Sequence, residues 1–74
     1  MPVVLRVGGY RFFFYANQGT PREARHVHVE CGDVEAKFWL RPAVHVAYND
    51  GLRPKALREA LELVEVNRER FERA

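Results

Sequence analysis

Seventy-four residues carry one domain and one core, and a domain this small buries only about 60% of the surface its extended chain exposes. Cys31 is the only cysteine, which excludes an internal disulfide, and no apolar run approaches the roughly 18–20 residues that span a bilayer. The net charge of +2 hides an asymmetry: the first 25 residues hold Arg6, Arg11, Arg22 and Arg25 against Glu23 alone, whereas five glutamates fall in the last third.

These features set a context. A lone thiol suits a reducing compartment, and Met1-Pro2-Val3 leads directly into strand-forming residues without a charged and apolar leader, so a cytoplasmic location is expected. Ten of the twelve cations are arginine, a choice that suits a GC-rich genome and a thermophile. A basic first half beside an acidic last third can meet nucleic acid or an acidic partner.

In chain order, residues 3–7 and 10–16 are rich in β-branched and aromatic side chains around Gly8-Gly9, the signature of a two-residue hairpin with φ > 0 at both turn positions. That turn sets Val7 opposite Tyr10, Arg6 opposite Arg11, Leu5 opposite Phe12 and Val3 opposite Phe14. Val3, Leu5, Val7, Tyr10, Phe12 and Phe14 then line the core, while Val4, Arg6, Arg11, Phe13 and Tyr15 share the other face. The segment 17–25, with Gly19 and Pro21 and no apolar period, reads as an exposed loop.

Residues 26–31 and 34–40 alternate around Gly32-Asp33 and form a second hairpin. Val27, Val29 and Cys31 face Phe38, Ala36 and Val34 on the core side, where Cys31 is an inert buried thiol. The other side sets His26 opposite Trp39, His28 opposite Lys37 and Glu30 opposite Glu35. Arg41-Pro42 ends the ladder, and residues 44–48 alternate again as a fifth strand.

Asn49-Asp50-Gly51 is a turn, and Pro54 suits the first position of a helix over 54–73. Leu57, Ala60, Leu61, Val64 and Phe71, widened by Leu63, give its apolar stripe, and Glu69 and Arg73 can pair one turn apart. Leu61→Ala would cost about 2–5 kcal/mol if that leucine is buried. The expected fold is α+β: an antiparallel meander of four to five strands packed against one C-terminal helix, in a single domain over 1–74.

Around His26-Val27-His28-Val29-Glu30 the chain resembles the bacterial family catalogued as domain of unknown function 4160. The family begins Met-Pro with a short hairpin, carries a His-X-His strand and a Glu-Ala strand, and ends in a helix introduced by a Leu-X-Pro segment followed by Ala-Leu. The corresponding residues are Met1-Pro2, Phe14-Tyr15, His26 and His28, Glu35-Ala36, Leu52-Arg53-Pro54-Lys55 and Ala56-Leu57. The Pro-Pro that usually precedes the first histidine is Ala24-Arg25 here, and a helix histidine is Asn67. The resemblance implies context rather than chemistry, because genes for such domains often sit beside another small domain in toxin–antitoxin-like pairs.

Two function classes follow. The leading one is a protein-interaction component of such a pair, working with a small cognate protein or as a homodimer: 47% hydrophobic residues, with aromatics on both sheet faces, exceed what one helix can cover. The second is an RNA-binding or ribonuclease toxin in which His26, His28 and Glu35 act as general acid and base. Arg6, Arg11, Tyr15, Lys37 and Trp39 would contact RNA, DNA or a partner. A further alternative is a metal site at His26, His28 and Glu30, because alternate strand residues project the same way about 6–7 Å apart. No cofactor and no membrane partner are expected.

Overall fold

A computed structural model describes residues 3–14 and 25–73. Five strands, β1 (Val3–Val7), β2 (Tyr10–Phe13), β3 (His26–Cys31), β4 (Val34–Trp39) and β5 (His45–Asp50), precede two helices, α1 (Pro54–Val66) and α2 (Arg68–Arg73). The strands form one antiparallel sheet in sequence order, the meander that two short hairpins dictate. β2 and β4 stop earlier than expected, at Phe13 and Trp39, and β5 lies one residue later at its start and two at its end. Most of the expected 17–25 loop, with Arg22, falls outside the described residues, as does Tyr15 of the expected second strand.

The Gly8-Gly9 turn differs from expectation in one respect. Gly8 takes φ 58° but Gly9 stays out of the left-handed region, the order of signs found in a type II′ turn rather than I′. Next to it, Val7 pairs with Tyr10, Arg6 with Arg11 and Leu5 with Phe12, and then the register slips at Val4, so that Val3 meets Phe13 and not Phe14. The extra residue exchanges the faces: Val4 packs on the core and Val3 is exposed. The β3–β4 register is the expected one at all six pairs, from His26–Trp39 to Cys31–Val34. Cys31, expected in the core, is only half-buried, because it flanks the turn.

The core lies on one face of the sheet. Phe12, Val27, Val29, Ala36, Phe38 and Leu40 meet Leu52, Ala60, Val64 and Phe71 there. Burying each large apolar side chain contributes about 1.5–3 kcal/mol. Leu57, Leu61 and Leu63 flank this core half-buried, so Leu61 is not the buried keystone of the helix. Phe71 is: its ring lies 5.6 Å from Phe12 and 6.4 Å, edge-on, from Phe14.

The expected single helix is two. Pro54 starts α1, with Arg53 extended at φ −71°, ψ 160° as a residue before proline must be. Asn67 ends it at φ −105°, ψ 19°, and its side-chain amide donates to the Leu63 carbonyl at 2.8 Å alongside its own backbone N–H at 3.1 Å. Such back-bonding competes with the helical ladder and bends it. The last turn is tied to the sheet by Arg25, whose guanidinium lies 4.9 Å over the Phe14 ring and donates to the carbonyls of Phe71 (3.3 Å) and Glu72 (3.4 Å). Arg41 and Arg68 bind the Glu72 carboxylate from the other side.

Candidate functional site

The face opposite the helices carries three cross-strand rows. One runs Arg6–Arg11–Glu30–Glu35–Asp50 across all five strands. Each hairpin alone presents a like-charge pair, but the β2–β3 register sets the second arginine against the first glutamate, and Arg11 forms an ion pair with Glu30. The neighbouring row is Val3–Phe13–His28–Lys37–Tyr48, and the third is His26–Trp39–His45.

His26 and His28 are not solvated. His26 is 4% exposed and His28 5%, and Phe13, expected on an open face, is buried against His28 with ring centroids 5.6 Å apart and planes nearly parallel. His26 stands edge-on to both His28 (5.2 Å) and Trp39 (5.4 Å). Aromatic packing of this kind accompanies the burial of the middle of the face, while Tyr48 and His45 at its β5 side stay exposed.

His28 holds the polar centre. Its Nδ1 lies 3.1 Å from Glu35 Oε2, and the Tyr48 hydroxyl donates to the same carboxylate oxygen at 2.8 Å. Burial pushes the His28 imidazole below its ordinary 6.5, His26 and Lys37 act in the same direction, and Glu35 opposes them. A neutral His28 with Nδ1–H donated to Glu35 satisfies that geometry. Tyr48, 43% exposed, is the outer end of the network. Beside it, the Lys37 ammonium sits 4.4 Å over the Trp39 ring.

The structure thus brings His26, His28 and Glu35 together and adds Tyr48 to them. Tyr48 was placed by sequence parity on the same face as Val46, but the β4–β5 register slips at Ala47: Tyr48 pairs with Lys37 on the histidine face, and Val46 with Phe38 on the core face. No composition signal marks that extra residue. Glu30, turned to Arg11, does not join the imidazoles, and among the described residues no group of three or more His, Cys, Asp or Glu is placed to hold a metal ion. Lys37 and Trp39 lie together on this face, while Arg6 lies at its far edge and Tyr15 falls outside the described residues. Among the described residues no helix is long and apolar enough to cross a membrane.

The chain matches neither a curated protein nor a solved structure. Residues 9–74 match the family model described as Domain of unknown function (DUF4160). That match takes in His26, His28, Glu35, Tyr48 and both helices, and the chain belongs to this family.

Proposed function

We propose that this protein is an interaction component of a toxin–antitoxin-like pair, and that Tyr48, Lys37, Trp39 and His45 form the surface that meets its partner. One observation carries this reading: Tyr48 is exposed yet fixed in place by its hydrogen bond to Glu35. A rigid, amphipathic aromatic loses little conformational freedom on binding and is the residue type that dominates interface energies. Lys37 spread over Trp39 adds a second aromatic with a cationic cover. The neutralisation of Arg11 by Glu30 weakens this face as a phosphate site and favours a protein partner over nucleic acid. Family membership supports the genetic setting, and the single cysteine supports a reducing, cytoplasmic one.

The test is co-expression with the product of the adjacent gene, followed by calorimetric titration of the purified proteins. A complex that weakens at least roughly thirtyfold in Tyr48→Ala supports the reading, since a hot-spot truncation costs about 2 kcal/mol or more. Unchanged affinity in both Tyr48→Ala and Trp39→Ala refutes the surface. A monomer by light scattering that binds no neighbour product refutes the role.

A second reading has its own observation. The Glu35–His28 contact orients an imidazole as a carboxylate does in acid–base catalysis, which suits a ribonuclease once the face opens. RNA cleavage that persists in a folded His26→Ala, His28→Ala variant eliminates it.

A further inference from the structure

A groove of about 280 Å³ lies far from the histidine face, between the β1–β2 turn and α1. Val7, Gly8, Tyr10 and Leu63 give it an apolar floor, and Glu59 and Glu62 stand at its helical side. The Tyr10 hydroxyl donates to Glu59 Oε1 at 2.8 Å, which braces the hairpin against the helix. Burial, followed by that hydrogen bond to an anion, pushes the Tyr10 phenol up to about 12, so the brace stays protonated at neutral pH.

Two acids beside an apolar floor define the chemistry of an occupant. Glu59 uses one carboxylate oxygen for Tyr10, and Glu62 has no partner among the described residues. One turn further along the helix, at i+4 from Glu62 and i+3 from Leu63, Val66 is 80% exposed. The apolar strip therefore continues past the groove, with negative charge along its flank.

We propose that this groove docks a partner-protein segment in which basic and aliphatic residues alternate. An arginine or lysine lays its methylene stem on Val7 and Leu63 and brings its charged head to Glu59 and Glu62, while a neighbouring aliphatic side chain covers Val66. Charge complementarity selects this occupant: an acidic segment meets two carboxylates, and a purely apolar one leaves them against its own surface. The proposal stands apart from the Tyr48 surface and survives if that surface binds nothing.

The test uses the purified chain at millimolar concentration, with acetyl-Leu-Arg-Leu-Arg-Leu-amide as the probe and its glutamate-for-arginine counterpart as the control, followed by amide chemical shifts. The arginine peptide is expected to move Val7, Gly8, Tyr10 and Leu63, and the control peptide is not. The Glu59→Gln, Glu62→Gln variant keeps the Tyr10 contact and is expected to bind roughly three- to thirtyfold more weakly. Val66→Ser, at an exposed position that folding does not need, is expected to weaken binding as well. Equal binding of both peptides, an unaffected glutamine variant, shifts confined to other residues, or no shifts at all would each overturn the proposal. Shifts at the groove that depend on protein concentration without peptide would overturn it too, by assigning the groove to a second copy of the chain.

Discussion

Gly51 offers a quantitative test of how the β5–α1 turn is built. It adopts φ 108°, outside the small left-handed region open to other residues, and a Cβ there would lie 2.5 Å from Val34 Cγ1 and 3.0 Å from Val34 Cβ. Carbon atoms pack best about 3.5–4.0 Å apart. In Gly51→Ala the backbone contributes about 1–3 kcal/mol of strain and the contact about 1–3 kcal/mol more, so the loss is roughly 2–6 kcal/mol. A protein of this length has roughly 4–11 kcal/mol of total stability. Gly8→Ala is the internal control, because φ is 58° there and nothing lies within 4 Å of the added carbon, and its cost is about 1–2 kcal/mol. Any gain from stiffening the unfolded chain is common to both variants.

Thermal unfolding followed by circular dichroism reads the difference, at about 4–8 °C per kcal/mol. Gly51→Ala should melt well below Gly8→Ala. Adding Val34→Ala to Gly51→Ala should recover part of the loss, a favourable coupling that a double-mutant cycle isolates. Equal melting of the two glycine variants, or no coupling to Val34, would show that the turn relaxes freely and that the close approach of Gly51 to β4 constrains nothing.

Three further outcomes follow from packing and charge. His28 binds its proton less readily folded than unfolded, so its contribution is present above the unfolded value of about 6.5 and is lost as pH falls below it toward the lowered folded value; melting points measured from pH 7.5 to 5 should drop more steeply for the wild type than for His28→Gln. Phe71→Ala empties the space against Phe12 and Phe14 and should cost about 3–5 kcal/mol in urea unfolding, whereas Leu61→Ala, at a half-buried position, should cost less. Arg11→Gln removes the cation paired with Glu30, which faces Glu35 on its other side, and should cost no more than about 1 kcal/mol, with the loss shrinking as salt is added.

Local rules made much of this fold legible. Alternation around Gly32-Asp33 determines the β3–β4 register pair by pair, because a two-residue turn leaves no slack and the valines must face inward. The same parity, applied where longer connections intervene, is insufficient. Nothing between Phe14 and Arg25 indicates which residue of β2 lies against Glu30, so the pairing that neutralises both like-charge contacts was hidden. The slips at Val4 and Ala47 were hidden as well, since an inserted residue leaves composition unchanged while reversing every side chain beyond it. The histidine face was found as a set of residues, but the burial of His26 and His28 on it was not legible. Periodicity reports which side a residue takes, and only the three-dimensional structure shows that His26 and His28 are buried among Phe13, Trp39 and Tyr48. Asn67 broke the helix through a side-chain bond that propensity alone does not register.

The slips at Val4 and Ala47 bear on how the protein behaves when crowded. An open sheet ends in two rows of backbone groups that another chain can pair with, the seed of edge-to-edge aggregation. Here β1 and β5 are those ends, and each is interrupted by its one extra residue, leaving three regular positions in a row, Leu5–Val7 on one side and Tyr48–Asp50 on the other. Three positions are shorter than the six- or seven-residue segments that stack into fibrils. Removing Ala47 would lengthen the template while leaving Tyr48 opposite Lys37, and the resulting protein should form thioflavin-positive aggregates at concentrations where the parent remains clear.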